Sequence, residues 1–384
     1  MIVYRTGNCV RLLQNGAEYF PALEEAIDAA QSDVHLETYI YADDPSGRRI
    51  SAALVRAAAR GVRVRIAVDG FGSKGYMGAI LDEISRQGVE VAIYRPETRR
   101  FDFRKNRLRR LHRKLSVIDG KVAFVGGINI IDDLNGIAEP PPRFDYAVRV
   151  EGPLLIDICE VANRMWFLLL WSRFRSRKTR PPLLAPNATE CGELRAAFVH
   201  RDNFRNRRDI EHGYLTAISN ATEDVFIANA YFFPGRHFRR ALTDAAKRGV
   251  RVRLLLQGRV EYLLAHYAQR ALYGMLLDAG IEISEYVGSF LHAKVAVIDG
   301  HWATVGSSNI DPFSLLLSRE ANVFVRDRGF AKALRDSLEK ATVEGARKVE
   351  SEHWRRRSLV DRALTMLFYG VARRVMGLIG MSDR

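Results

Sequence analysis

The sequence predicts an α/β protein made of two tandem halves, each an α/β sandwich built on one repeated unit and related by a pseudo-two-fold axis. The string RGVRVRI at residues 60–66 recurs as RGVRVRL at 248–254. The string LHRKLSVIDG at 111–120 recurs as LHAKVAVIDG at 291–300. Each copy of the second string is followed by a glycine-containing turn that ends in an asparagine, Asn129 or Asn309. Repeated strings in the same order indicate that the two halves place equivalent residues in equivalent positions.

The elements around these strings alternate between helix and strand. Residues 50–59 and 238–247 are rich in alanine and amphipathic, and each stretch predicts a helix that ends at the following glycine. The alternation of valine and arginine after that glycine predicts a strand with one buried face. The apolar strings at 34–40 and 225–231 predict the strands that open the two halves.

Composition changes divide the chain into four parts. The first half is expected over residues 1–175 and the second over 191–350, because each contains one copy of every repeated string. Residues 176–190 are rich in Arg and Pro, which is typical of a linker. Residues 351–384 form a basic tail with helical periodicity.

The net charge of the chain limits the classes of partner that we expect it to bind. A formal net charge of +14 over 384 residues indicates a polyanionic partner, either nucleic acid or an anionic membrane surface.

The three cysteines are far apart and follow no metal-ligand spacing, so neither a disulfide framework nor a metal site is expected. The N-terminus has no long apolar stretch, and no segment reaches the roughly 18–20 apolar residues of a membrane-spanning helix. We therefore expect neither a cleaved signal peptide nor a spanning helix.

Each half carries His-x-Lys, then Asp after four residues, then Gly-x-x-Asn after six more. The residues in this pattern are His112, Lys114, Asp119 and Asn129 in the first half, and His292, Lys294, Asp299 and Asn309 in the second. Two such sets meeting between the halves would suit the transfer of a phosphodiester. One imidazole attacks phosphorus and forms a phosphohistidine, while the other donates a proton to the leaving alkoxide. Lysines and asparagines stabilise the phosphate oxygens. The set has no cluster of carboxylates or thiolates, so no metal and no other cofactor are expected.

These paired motifs closely resemble the HKD signature of the phospholipase D superfamily, over nearly the whole chain. Strings at 36–40, 111–114, 148–153 and 308–314 are similar to those of bacterial cardiolipin synthases, and the last is similar to the shorter synthases without N-terminal transmembrane helices. The resemblance implies a tandem phospholipase D-like fold with one active site between the halves. It also implies that His112 is the nucleophile and His292 the general acid and base, and that the lysines and asparagines bind phosphate.

The resemblance further implies an acid downstream of each motif that orients the histidine of that motif through its distal ring nitrogen. Asp145 and Glu320 occupy those positions. Asp119 and Asp299 belong to the signature and are counted with its catalytic residues, although an Asp-Gly pair is typical of a structural turn. Many relatives have an Asn two residues before the downstream Glu, where this chain has Ser318, so the acceptor alcohol stays open.

Three segments bear on the choice between lipid and nucleic acid, and the tail separates the two better than the others. The arginine-rich stretch 99–110 predicts either a solvated loop or a positive rim that attracts an anionic substrate, and both partners suit the rim. In the tail, apolar residues fall on one helical face, namely Val360, Leu364, Leu367, Phe368, Val371, Val375 and Leu378. Such a face is typical of a helix in a membrane interface, or of one docked on protein. The string 165–171, MWFLLLW, is a second candidate for membrane contact or for a buried helix between the halves.

Together the tail and the resemblance predict a peripheral protein on the cytoplasmic side of the cell membrane. Its expected reaction moves a phosphatidyl group from one phosphatidylglycerol to another and releases glycerol. A phospholipase D hydrolase and a phospholipase D-fold nuclease are the alternatives, and a non-catalytic scaffold is disfavoured by two intact motifs. Nucleic acid is not the expected partner, and the sequence does not predict an oligomeric state.

Overall fold

The computed structural model describes residues 2–96, 109–134, 142–173, 183–202, 205–311, 314 and 317–378. The elements of the first half are β1 (Arg5–Gln14), α1 (Asn15–Asp28), β2 (Asp33–Thr38), α2 (Pro45–Ala59), β3 (Arg63–Asp69), α3 (Ile80–Arg86), β4 (Glu90–Tyr94), β5 (Lys114–Ile118), β6 (Val122–Gly126), β7 (Tyr146–Glu151) and α4 (Leu155–Arg173). The elements of the second half are β8 (Leu194–Arg201), α5 (Asp209–Ser219), β9 (Asp224–Asn229), α6 (Arg236–Lys247), β10 (Arg251–Gln257), α7 (Leu263–Arg270), α8 (Tyr273–Asp278), β11 (Glu282–Tyr286), β12 (Lys294–Ile298), β13 (Trp302–Gly306), β14 (Glu320–Arg326), α9 (Arg328–Gly345) and β15 (Ala346–Lys348). Two tail helices follow, α10 (Ser351–Arg355) and α11 (Leu359–Leu378).

All strands belong to one 15-stranded sheet in the order β15-β11-β10-β9-β12-β13-β14-β8-β1-β7-β6-β5-β2-β3-β4. Read outward from the antiparallel β1–β8 pair, the two sides repeat the same order of equivalent strands. The central strands of each half are parallel, and the two strands after each motif return as antiparallel hairpins. The repeat predicted from the sequence is therefore a repeat of topology, with a pseudo-two-fold at the β1–β8 junction.

The cores explain why the halves stay together. Consecutive residues of a strand point to opposite faces of the sheet. Val34 and Leu36 of β2 therefore share a face, and they pack in a core with α1 and α2. An equivalent core lies under α5 and α6 in the second half. A third core contains strands of both halves together with α4 and α9. Because this core is shared, the ends of β5 and β12 are held in a fixed relation.

Most predicted elements are present, and the α/β class with duplicated halves is confirmed. The prediction that 34–40 and 225–231 open the halves is wrong, because β1 and α1 precede the first and β8 and α5 precede the second. Polar residues interrupt the alternation in β1, and Pro21 lies inside α1, which hides both from a reading of periodicity. The predicted linker lies between α4 and β8, and the boundaries of the four parts stay a prediction.

The two predicted membrane segments are partly covered by protein. In α4, Met165, Trp166 and Leu169 are buried, whereas Phe167 and Trp171 are exposed. Helix α11 packs on α7, where the rings of Tyr267 and Phe368 stack with centres 5.0 Å apart. Among the described helices, none is both long and apolar enough to cross a bilayer. Residues 99–108 lie outside the described part of the chain, as do the side chains of Val360, Arg362, Arg373, Val375 and Leu378.

Candidate active site

The two motif histidines line one cavity. His112 and His292 lie two residues before Lys114 and Lys294, the first residues of β5 and β12. Both imidazoles border a cavity of about 530 Å³ together with Asn129 and Asn309. The structure thus brings the predicted His and Asn residues of both halves into a single site.

Backbone hydrogen bonds across the halves position these histidines. The amide of His112 donates to the carbonyl of Arg319 at 3.0 Å, and the amide of His292 donates to the carbonyl of Phe144 at 2.8 Å. Each motif is therefore bound to the segment that precedes the downstream acid of the other half. The acids Asp145 and Glu320 follow these two carbonyls directly.

As a result, the acids are exchanged between the halves. Nδ1 of His112 lies 2.9 Å from Glu320, and Nδ1 of His292 lies 2.6 Å from Asp145. The prediction that each acid orients the histidine of its own motif is wrong, since backbone pairing between the halves determines the partner. Because the acid takes Nδ1, Nε2 of each ring is left for the reaction.

The two acids are supported differently. Glu320 accepts a hydrogen bond of 2.5 Å from the hydroxyl of Ser307. Asp145 accepts one of 2.8 Å from the amide of Tyr146. At the place of Ser307 the first half has Gly127, where an added Cβ would lie 2.3 Å from an Asp145 oxygen. The shorter acid approaches the backbone, and only glycine leaves room for it.

The lysines lie beneath the histidines and are buried. Each ammonium donates to the carbonyl of the histidine in its own motif, with a distance of 2.6 Å for Lys114. Burial lowers the pKa of Lys114 to about 7 and that of Lys294 to about 8, against the opposing effect of Glu320 and Asp145. A bound phosphodiester would supply the negative charge that stabilises both protonated amines.

Burial and the lysine charges also act on the other titrating groups. The pKa of His112 is lowered and that of His292 is lowered well below its ordinary value, in both cases chiefly by burial. Burial raises the pKa of Asp145 to about 6. Both rings are therefore neutral in the empty site at neutral pH, which is the form that attacks phosphorus.

The asparagines differ in their partners. The amide of Ile40 donates to Oδ1 of Asn129 at 3.1 Å, which leaves the NH2 group of that side chain for the cavity. Oδ1 of Asn309 is buried and has no hydrogen-bond partner within the described residues. The NH2 group of Asn129 fits the predicted role of donating to a phosphate oxygen, and Asn309 borders the same cavity.

Counting Asp119 and Asp299 with the catalytic residues is wrong on geometric grounds. Asp119 accepts hydrogen bonds of 2.8–2.9 Å from the amides of Gln31, Ser32 and Asp33 at the start of β2. Asp299 makes the equivalent bonds to residues 222–224. Neither borders the cavity. Both lie in the left-handed region, with φ of 52° and 49°, and tie a turn to the neighbouring strand.

Sequence reasoning missed several residues of the cavity wall. Tyr39 packs edge-on against His112 with ring centres 4.7 Å apart, and its ring lies 5.3 Å from the Lys114 ammonium. Arg143 and Glu261 form an ion pair of 3.2 Å on the side of His292. Arg143 and Glu261 lie outside the repeated strings, so no pattern marked them, whereas Tyr39 lies in the string 36–40 but was given no role. Ser318, noted as a departure, is buried and borders the cavity.

Comparison with known proteins agrees with this geometry. A family model described as "Cardiolipin synthase, PLD-like domain" matches residues 23–135 and 214–342. Cardiolipin synthase B of Escherichia coli K12 is 39% identical over 387 residues, covering 98% of this chain and 91% of the relative. The cardiolipin synthase of Geobacillus thermodenitrificans is 33% identical, covering 82% of this chain and 62% of the relative.

Solved structures share the fold at lower identity. The phosphatidylserine synthase of Haemophilus influenzae superposes with a TM-score of 0.71 at 14% identity, covering 97% of this chain and 94% of that one. The polyphosphate kinase of Porphyromonas gingivalis gives a TM-score of 0.54 at 12% identity, over 87% of this chain and 50% of that one. With both motifs matched by the family model, the chain belongs to the cardiolipin synthase family of phosphatidyltransferases with phospholipase D-like domains.

Proposed function

We propose that the chain transfers the phosphatidyl group of one phosphatidylglycerol to the terminal hydroxyl of a second, forming cardiolipin and releasing glycerol through a phosphohistidine. The observation that carries this proposal is the crossed pair of His–acid contacts in one cavity, His112 with Glu320 and His292 with Asp145. Two separately oriented imidazoles suit a two-step transfer in which one binds phosphorus and the other carries protons.

In the first step, Nε2 of His112 attacks the phosphorus opposite the glycerol oxygen. The P–N bond forms as the P–O bond to glycerol breaks, and the electron pair stays on the departing oxygen. That oxygen takes a proton from Nε2 of His292, and glycerol leaves. The phosphodiester charge beside Lys114 and Lys294 favours the protonated form of His292 that this step needs.

In the second step, Nε2 of His292 removes a proton from the terminal hydroxyl of the second phosphatidylglycerol. Its oxygen attacks phosphorus as the P–N bond breaks, and the electron pair returns to the imidazole of His112. The lysine ammonium groups and the asparagine amides stabilise charge on the non-bridging oxygens in both steps.

Thin-layer analysis of products from labelled phosphatidylglycerol in vesicles tests the reaction. We expect cardiolipin and free glycerol in a one-to-one ratio, and no product from the His112→Ala variant. Phosphatidic acid as the main lipid product would establish the hydrolase instead. Cleavage of single- or double-stranded DNA by the wild-type protein, lost in the same variant, would establish the nuclease.

We further propose that the chain binds an anionic membrane surface with the cavity mouth facing the lipid. Four residues that border the cavity are also exposed apolar or aromatic side chains: Phe71 (50%), Tyr76 (43%), Tyr262 (61%) and Leu264 (36%). With Leu263, 58% exposed, we call them the apolar rim. Helix α11, which packs on α7 beside this rim, exposes Leu364, Met366, Leu367 and Val371. Exposed apolar groups around a lipid site favour insertion at the interface.

The variant Leu263→Glu tests this orientation, since Leu263 flanks the cavity without lining it. Val343→Glu is a matched control, because Val343 is 86% exposed on α9 and does not border the cavity. We expect the first change alone to reduce sedimentation with phosphatidylglycerol vesicles several-fold. Activity on a monomeric short-chain phosphatidylglycerol should stay unchanged. Equal vesicle binding by both variants would contradict the proposed orientation.

A further inference from the structure

The side of the cavity next to His292 carries an acid that the transfer chemistry does not use. Glu261 borders the cavity, with its side chain 21% exposed. One carboxylate oxygen accepts a hydrogen bond of 2.5 Å from the hydroxyl of Tyr231. The other accepts one of 3.2 Å from Arg143. A carboxylate held at both oxygens, beside a site for a phosphate anion, needs an explanation.

Glu261 is ionised in this setting. Burial opposes its ionisation, but the Tyr231 hydroxyl and the charge of Arg143 outweigh burial and lower the pKa of the carboxyl. A carboxylate repels a phosphodiester, so it does not contribute to binding the transferred group. It is instead a strong acceptor for hydroxyl groups, because an ionised acceptor makes shorter and stronger hydrogen bonds than a neutral one.

The first half has no acid at the position equivalent to Glu261. Tyr231 lies two residues after the end of β9, and the residue two after the end of β2 is Ile40. Glu261 lies four residues after the end of β10, where the first half has Ser73 after β3. The hydroxyl of Ser73 is engaged with the backbone of Tyr39 and Tyr41. The Tyr231–Glu261 pair is thus specific to the second half, with no match at the equivalent positions of the first half.

The geometry of in-line displacement gives this side a role. If His112 attacks phosphorus, the departing oxygen lies opposite, where His292 protonates it. The acceptor must later enter along the same line, so the leaving alcohol and the acceptor share one position. In the proposed reaction both are glycerol units that present free hydroxyls beside the reacting oxygen.

We propose that Glu261, held by Tyr231 and Arg143, is the subsite that binds the glycerol hydroxyls of both the leaving group and the acceptor. The proposal rests on the proposed function for the identity of the acceptor, and it adds a residue that determines its selection. An alcohol without the additional hydroxyl forgoes a charge-assisted hydrogen bond to Glu261, which is stronger than a neutral one, and is therefore selected against.

Partition of one intermediate between two alcohols tests the subsite independently of the first step. Phosphatidylglycerol labelled in its acyl chains is incubated with equimolar isotopically labelled glycerol and 1-propanol, and the two transfer products are compared. We expect the wild-type protein to favour glycerol by about tenfold or more, which corresponds to about 1.4 kcal/mol. We expect Glu261→Gln to reduce this preference to about threefold or less, and Tyr231→Phe to give an intermediate ratio.

Each outcome bears on the proposal. A purely structural role for Glu261 would lower transfer to both alcohols equally and leave the ratio unchanged, which would overturn the subsite. If both variants fail to fold, the wild-type ratio still decides, since equal use of glycerol and 1-propanol would refute a hydroxyl subsite. Absence of cardiolipin from wild-type reactions, together with a glycerol preference that depends on Glu261, would overturn the proposed function and leave the subsite standing.

Discussion

The two halves place the same His and Lys pair at the active site but support the motif strands in different ways. Behind β5, the guanidinium of Arg113 donates to Glu37 at 2.5 and 2.9 Å, and Glu37 also contacts His35 at 2.9 Å. All three side chains are buried, and Arg113 outweighs burial to hold the pKa of Glu37 at about 2. The first motif is thus backed by an ionic network between β2, β5 and α4.

Behind β12 the equivalent positions are apolar. From the register of the strands, the second-half equivalent of His35 is Phe226 and that of Glu37 is Ala228. Ala293 occupies the place of Arg113. The second motif is therefore backed by ordinary close packing in the shared core. This difference shows that the chemistry depends on the residues at the active site. The support behind each motif strand can consist either of charged or of apolar side chains.

The largest expected effects break the crossed acids, which both halves share. Replacing Glu320 by Gln or Asp145 by Asn removes the acceptor that fixes the ring tautomer. We expect activity to fall about 10³- to 10⁴-fold, as for the carboxylate of a catalytic triad. In histidine-labelled protein, Asp145→Asn should move the NMR signals of His292 and leave those of His112 nearly unchanged. Movement of His112 instead would contradict the exchange of acids between the halves.

The next largest expected effect distinguishes the ionic support of β5 from the apolar support of β12. Glu37→Ala leaves Arg113 buried without its charge partner, which typically costs about 3–5 kcal/mol of unfolding free energy. The triple change of His35, Glu37 and Arg113 to Phe, Ala and Ala copies the second half and should recover most of that loss. Denaturant unfolding measures both. A triple variant as unstable as Glu37→Ala would show that the two kinds of support are not interchangeable.

A smaller effect distinguishes the contacts that hold Glu320 from those that hold Asp145. Ser307→Ala removes one hydrogen bond to Glu320, and we expect kcat to fall about tenfold, in line with about 1.5 kcal/mol for a bond to a charged group. Gly127→Ala in the other half should cost more, because its Cβ would lie 2.3 Å from Asp145 and displace it. Steady-state kinetics of the two variants checks the order, and a harmless Gly127→Ala would contradict the close approach.

The smallest effect is the pH dependence of kcat/KM. Below about pH 6, Asp145 takes up a proton and loses an acceptor for His292, so activity should fall as pH decreases. Lys114 loses its proton above about pH 7 and Lys294 above about pH 8, and phosphate binding weakens with each loss, so activity should fall as pH increases. A flat profile from pH 5 to 9 would contradict the shifted pKa values of these groups.

These differences also show which features of the fold and the site can be predicted from the sequence. The repeat predicts the fold class and the His, Lys and Asn of the site, because equivalent strings occupy equivalent places in a duplicated fold. It does not predict that Asp145 serves His292, since that contact depends on backbone pairing between segments 147 residues apart. Nor does it predict Glu261, which lies on the loop after β10, outside the repeated strings, where the first half has Ser73.

Capture of the covalent intermediate tests the central claim most directly. Wild-type protein reacting with short-chain phosphatidylglycerol is quenched in denaturing alkali, where a phosphorus–nitrogen bond to histidine survives, and its peptides are mapped by mass spectrometry. We expect one phosphatidyl-derived group, detected as its glycerophosphoryl remnant because alkali cleaves the acyl esters, on the peptide that contains His112, and none in the His112→Ala variant. The same group on His292 alone would contradict the choice of His112 as nucleophile, and the group on both histidines would contradict a single site in which one half binds phosphorus and the other carries the proton.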